Sequence, residues 1–195
     1  NAFAAAKIDS LTAVDEDGNP YKSIWVGTSA FQNSTIRSIC TVGNIMERGF
    51  QNCNSLEEVV IESNSLVISQ YAFYNCQKLK SINIPAGVTE IPTYAFYGCA
   101  LESIDLSGTK VSSIGNYAFG YSRNLATITL PTTAIEFWRS PFQGCSALES
   151  IAIPDGSVIA ASNMLQDCTS LKEVSIGRNV HMTNTNYMFS GCSSL

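Results

Sequence analysis

LKSINIPAGVTEIPTYAFYGC, from Leu79 to Cys99, is the stretch whose reading decides the fold. Its last six letters, YAFYGC at Tyr94 to Cys99, nearly repeat YAFYNC at Tyr71 to Cys76, displaced by 23 positions. Followed outward on the aromatic of that phrase, the column reads Phe50, Phe73, Phe96, Phe119, Phe142, Leu165 and Phe189, five steps of 23 residues and one of 24. Three positions after each stands Cys53, Cys76, Cys99, then Ser122, then Cys145, Cys168 and Cys192. Beyond that comes Leu-x-x-[Ile/Val]-x-[Ile/Leu/Val], complete in six copies, among them Leu79/Ile82/Ile84 and Leu148/Ile151/Ile153. A fixed period of this length is the mark of a solenoid.

Within each copy the last two apolar residues alternate with polar ones, the period of a strand buried on one face. Pro85, Pro131 and Pro154 follow three of these strands and, lacking an N–H, should end the ladder there. A short apolar touch recurs five residues before the aromatic, at Ile45, Ile68, Ile91, Ile114 and Phe137. The YAFxxC phrase is too short for an independent helix and predicts a single helical or 3₁₀ turn. One unit cannot bury its own apolar face, whereas stacked copies can, each Leu, Ile and Phe sitting on its counterpart in the next coil. The expectation is a strand-dominated α/β solenoid of about eight 23-residue coils forming one domain over residues 1–195. Residues 36–195 carry the regular repeats. Residues 1–35 read as an irregular coil, with Phe3, Ile8 and Leu11 as one degenerate copy and Phe31, Ile36 and Ile39 as another. Between them VDEDGNPYKSIW, with its Asp-Gly-Asn-Pro core, reads as an inserted hairpin.

Composition narrows the partners. Charged residues make up 14% of the chain, against about 25% in an average soluble domain, so Ser, Thr, Asn and Gly must build much of the surface. The net charge is −5 and no two Lys or Arg are adjacent, which leaves no footprint for nucleic acid. No stretch approaches the roughly 20 apolar residues that span a bilayer, so membrane insertion is not expected. The chain opens at Asn1 and closes on MFSGCSSL, in mid-phrase. It reads as a piece of a longer protein, with further coils, a cap or a partner expected beyond Leu195.

The pattern Leu-x-x-Ile-x-Ile-Pro-x-x-Val-x-x-Ile-x-x-x-Ala-Phe-x-x-Cys, nearly intact from Leu79 to Cys99, resembles the BspA-like (Treponema pallidum type) leucine-rich repeat over about residues 30–195. That resemblance implies a right-handed superhelix with a parallel sheet on its concave side. It also implies an extracellular or cell-surface setting and adhesion to host matrix proteins or other cells. The departures are Ser162-Asn163-Met164-Leu165 where the phrase has Tyr-Ala-Phe, Pro141 in place of Ala, and the irregular start.

Seven cysteines invite a disulfide or metal reading, and their spacing opposes both. No C-x₂₋₄-C pair occurs. Stacked cysteines would stand about 5 Å apart, whereas a disulfide needs Cβ atoms about 3.8 Å apart. Free, buried thiols acting as small hydrophobes are expected, with Ser122 as an isostere. Cys40, between Ile39 and Thr41, falls at an outward strand position and is the one candidate for a reactive thiol. His181 is the only histidine. A grouping with Ser157 and Asp155 has an ambiguous register and nothing resembling a nucleophile elbow or oxyanion nest, so no enzyme is expected. Asp15 to Asn19, DEDGN, fails the calcium-loop template because Pro20 stands where glycine belongs. Tyr71, Tyr94 and Tyr117 form one column and Tyr74 with Tyr97 another, read as ladder packing with hydroxyls at the surface. Asn33-Ser34-Thr35 is a glycosylation sequon.

Solenoids commonly bind on the concave sheet. The outward columns there supply the candidate ligand-binding residues Ser81, Asn83, Ser103, Asp105, Thr127 and Thr129, short and mostly neutral. Such a surface admits close approach by a protein or glycan ligand and needs no cofactor or metal. The expected function is therefore a non-enzymatic recognition or adhesion module, the alternative being a structural spacer that displays another domain.

Overall fold

The computed structural model describes residues 3–7, 10–11, 26–41, 43–63 and 67–195. The inserted VDEDGNPYKSIW segment and its DEDGN turn lie outside the described residues. The architecture is a β-solenoid in which every strand pairing is parallel. Among the described residues, seven strands come from the Leu-x-x-Ile-x-Ile phrase: β1 Ser10–Leu11, β2 Ser38–Thr41, β3 Glu58–Ile61, β5 Ser103–Asp105, β7 Thr127–Thr129, β9 Ser150–Ile153 and β11 Glu173–Ile176. Five come from the short apolar touch: β4 Glu90–Ile91, β6 Ser113–Ile114, β8 Glu136–Phe137, β10 Val158–Ile159 and β12 His181–Met182.

The two sets form opposite walls, and the shorter one is the more continuous. The order β12-β10-β8-β6-β4 makes an unbroken five-stranded sheet, and separate bridges join Ile68 to Ile45 and Ile45 to Val26 in the earlier coils. From recurrence alone these positions predict only a short apolar touch. The first wall, expected as one sheet, divides instead into β1-β2-β3, β5-β7 and β9-β11. The coil Ser81–Ile84 contributes no strand, although Ile82 and Ile84 still face the core. One local feature sets that region apart. The next turn, Cys99 to Leu101, is one residue shorter than Cys76 to Leu79, which shifts the register of β5. β7 and β9 end just before Pro131 and Pro154, as the prolines predict.

The corner phrase is not a helical turn, and no helix occurs among the described residues. At Tyr71 to Cys76 the N–H groups alternate in direction. Those of Tyr71, Phe73 and Asn75 donate to Thr93, Ala95 and Tyr97 oxygens of the next coil at 3.2, 2.9 and 2.7 Å. Those of Ala72, Tyr74 and Cys76 donate back to Ser69, Tyr71 and Phe73 oxygens at 3.2, 3.1 and 3.2 Å. A helix points every N–H along its own axis, so it could not tie each coil to its neighbour in this way. The resulting turns place Tyr71 and Asn75 at φ 58° and 59°, the positive third-position φ of a type II turn. Tyr94 and Gly98, and Tyr117 and Tyr121, repeat the pattern.

The core is a stack. Phe3, Phe31, Phe50, Phe73, Phe96, Phe119 and Phe142 lie ring on ring with centroid steps of 5.2, 5.2, 5.4, 5.2, 5.5 and 5.7 Å. The spacing is that of hydrogen-bonded strands, about 4.8 Å, so the backbone ladder sets the ring separation. Six regular turns run from Phe50 to Phe189, headed by two irregular windings at Phe3 and Phe31, in place of about eight equal coils. The deviant coils keep the plan. Leu165 N–H still donates to Met188 O at 3.0 Å, with Met164 and Leu165 both buried. Pro141 still accepts the Phe119 N–H at 2.9 Å and forgoes only the bond made within its own turn.

Candidate functional site

Alternation along the first wall settles where the candidate residues point. In β5 Ile104 is buried while Ser103 and Asp105 are exposed, and in β7 Ile128 is buried while Thr127 and Thr129 are exposed. The register sets Ser103 beside Thr127 and Asp105 beside Thr129. Ser81 and Asn83, flanking buried Ile82, are exposed on the preceding coil. Asn83 and Asp105 together line a shallow depression of about 300 Å³, with Glu62, Pro85 and Thr109 around it. Asp105 accepts the Ser107 N–H at 2.9 Å. Hydrogen bonding from the Ser107 side chain, and then from its backbone N–H, holds the Asp105 carboxyl below its ordinary value.

The margin of this face is laced by ion pairs between successive coils: Lys78 to Glu57 at 3.2 Å, Lys80 to Glu102 at 3.1 Å and Lys172 to Glu149 at 3.3 Å. All are exposed, so each contributes at most about 1 kcal/mol. Cys40 is exposed, as its position predicts, and stands beside Val60. Desolvation, and then the charge of Glu62, push its thiol up, which disfavours the reactive thiolate.

The thiol column is more than apolar filling. Cys76, Cys99, Cys145 and Cys168 donate to the carbonyl oxygens of Phe50, Phe73, Phe119 and Phe142 at 3.1, 3.0, 3.1 and 3.3 Å. In the gap, the Ser122 hydroxyl donates to Phe96 O at 2.8 Å. Every one of the seven cysteines is free. The tyrosines also form ladders. Tyr71, Tyr94 and Tyr117 stack at 5.0 and 5.2 Å, Tyr74 and Tyr97 at 4.9 Å, and the two columns meet edge to face. All are half-buried. The first residue of the sequon, Asn33, is exposed and accepts the Asn52 amide at 3.0 Å.

The grouping around His181 is not assembled. Ser157 is buried and its hydroxyl oxygen accepts the Ile135 N–H at 3.0 Å. Asp155 pairs with Arg178 at 3.2 Å, and His181 is exposed on β12. Among the described residues no cluster of three or more His, Cys, Asp or Glu is arranged to hold a metal ion. No described helix is long and apolar enough to cross a membrane.

One surface escaped the sequence reading. On the second wall a groove of about 510 Å³ is lined by Val67, Glu90, Ser113, Gly115, Glu136 and Trp138, with others. Trp138 is a single exposed aromatic in a column otherwise lacking one, so no periodicity announces it.

The chain matches the BspA type leucine rich repeat region in six copies, over residues 1–100, 43–131 and 89–195. No curated protein sequence matches it. A crystal structure of a leucine-rich-repeat protein of Treponema pallidum is similar over 95% of this chain and 87% of its own length, with a TM-score of 0.71 and 23% identity. A leucine-rich-repeat protein of Eubacterium ventriosum is similar over 99% of this chain and 48% of its own, with a TM-score of 0.47 and 22% identity.

Proposed function

Since the chain belongs to the BspA type leucine-rich-repeat family, whose repeat suits an interaction module, we propose that it is a non-enzymatic recognition or adhesion module of a cell surface or the extracellular space. Its ligand would be a matrix protein or a glycan, met on the first wall at Ser81, Asn83, Ser103, Asp105, Thr127 and Thr129. The observation that carries this reading is the paired register of short, exposed, mostly neutral side chains on adjacent coils, Ser103 beside Thr127 and Asp105 beside Thr129. A ligand can approach such a surface to backbone distance, and consecutive coils offer it repeated, equivalent contacts. The mechanism is multivalent contact without a cofactor, so linked weak contacts reinforce one another.

A screen against glycans and matrix proteins, run with the wild type and with Asn83→Arg/Asp105→Arg, tests it. Binding lost on those substitutions supports the face. Binding that survives them moves the site elsewhere. A specific observation favours a second reading, that of a spacer: the marginal charges already neutralise one another across coils, and the face offers no aromatic anchor of the kind that dominates interfaces. A screen with no ligand at all would favour that spacer.

A further inference from the structure

On the second wall, the residue after each inward strand position lies on the side away from the core, where Pro92 is buried, Ser69 and Gly115 are half-buried and Trp138 is exposed. In successive coils it is Ser69, Pro92, Gly115 and then Trp138. The first three are small, and at Gly115 a Cβ would lie 2.6 Å from Thr93 N and 2.9 Å from Pro92 C, so backbone occupies the space. Trp138, 45% exposed, therefore stands as a wall above a floor of backbone and small side chains. Its own N–H donates to Ile114 O at 2.9 Å, which fixes its base in the ladder. The indole is held out to solvent by a rigid element rather than by a loop.

The column before the buried strand residues lines the groove's other side. Here the register runs Glu90, Ser113, Glu136. Glu57, Glu102, Glu149 and Asp155 each pair with a Lys or Arg. Among the described residues neither Glu90 nor Glu136 has an ion pair, and Arg139 is not part of the groove lining. Covering an unpaired carboxylate with a neutral ligand would strand it away from water at a cost, so the groove is complementary to a cationic occupant. A cation can also rest on the indole face, which attracts it electrostatically.

The spacing selects a backbone conformation. Glu90 and Glu136 are two rungs apart, about 9.6 Å at the usual strand separation. A polyproline II segment has three residues per turn and rises about 3.1 Å per residue, so positions i and i+3 share a face about 9.3 Å apart. In a β-strand, same-face residues recur at about 6.7 or 13.4 Å, neither of which fits the carboxylate pair. We propose that this groove, distinct from the first wall, binds a basic polyproline II segment of a partner protein lying along the solenoid axis. Lys or Arg at i and i+3 meet Glu90 and Glu136, and the ring between them packs on Trp138.

The test is a calorimetric titration of the full chain with acetyl-Pro-Arg-Pro-Pro-Arg-Pro-amide. It is run beside the Glu-for-Arg peptide, a peptide with Arg at i and i+2, and cellotetraose as a neutral saccharide. The Arg i,i+3 peptide is expected to bind saturably and more weakly as salt rises, and to lose about tenfold or more in affinity with Trp138→Ala, the usual behaviour of an aromatic anchor. Ser113→Lys, which sets a cation between the two carboxylates in register, is expected to abolish binding. Trp138 is exposed and Ser113 half-buried, and an unchanged melting temperature verifies the fold of each variant. Movement of one of the two tryptophan indole N–H signals on titration, absent in Trp138→Ala, locates the site. The proposal is overturned by no binding, by equal binding of both variants, by equal affinity for the i,i+2 peptide, or by cellotetraose binding in the peptide's place. None of these outcomes bears on the first wall, whose test uses other residues.

Discussion

The Ser122 hydroxyl donates to the carbonyl oxygen of Phe96 at 2.8 Å, occupying the place that the Cys145 thiol holds against Phe119 one turn later. The column is thus selected for a small donor, and apolarity alone does not satisfy it. Ser122→Cys should leave stability within about 0.5 kcal/mol, whereas Ser122→Ala should lose about 1 kcal/mol with the hydrogen bond. Ser122→Val adds overpacking to that loss and should be the worst of the three. Urea unfolding midpoints at constant slope give the ranking.

Phe96 is fully buried between Phe73 at 5.2 Å and Phe119 at 5.5 Å. Phe96→Ala should cost about 3 to 5 kcal/mol, the range for removing a buried aromatic. Phe189, in the same column but 38% exposed, should cost less than half as much when truncated. Equal losses would mean that burial in the stack is not what makes this column apolar.

Two glycines separate backbone strain from crowding. Gly98, at φ +65°, would place a Cβ 3.4 Å from Asn75 Oδ1, an ordinary van der Waals contact. Gly144, at φ +74°, would place it 2.8 Å from Tyr121 Cδ1. Gly98→Ala should therefore cost about 1 to 2 kcal/mol for the left-handed conformation alone. Gly144→Ala should cost more, and Gly144→Ala in a Tyr121→Ala background should fall back towards the Gly98→Ala value. Thermal melting of the four proteins checks the order.

Burial pushes the Cys168 thiol up to about 12 from 9.0, and raises Cys76 and Cys145 well above 9.0. The folded chain then keeps protons that the unfolded chain releases. Stability is fully present below about pH 9 and declines as pH rises towards about 12, by about 1.4 kcal/mol per pH unit for each such thiol. Denaturation midpoints should show no thiol-linked change below about pH 9 and fall above it, and Cys168→Ser should flatten the decline. Thiol labelling of the native protein should reach Cys40 first and the buried column only on unfolding.

The repeat was legible because stacking forces one residue type onto one column: the phenylalanines, the thiols and the Leu-x-x-Ile-x-Ile strands all announce themselves by recurrence. The corner was misread because its letters suit a helical turn. What forbids a helix is the need for Phe73 and its neighbours to donate alternately to the next coil, a constraint that exists only between coils. The second wall was underestimated because its recurring apolar residue stands alone in each coil, too short a segment for alternation to mark a strand, yet these two-residue strands build the five-stranded sheet. The outward residues of the first wall could be assigned from alternation alone. Trp138 could not, since its exposure depends on the small Ser69, Pro92 and Gly115 in the coils beside it, and a feature present once has no period.

Pulsed electron resonance between spin labels on the outward column of the first wall tests the stacking of coils most directly. With Cys40 and Cys192 replaced by Ser, labels at Ser38 and at Thr127, Ser150 or Glu173 lie four, five and six coils apart. Their separations should rise by about 4.8 Å per coil, from about 19 Å to about 29 Å before label length is added. Separations that do not grow coil by coil, or that grow in steps far larger than a strand spacing, would contradict it.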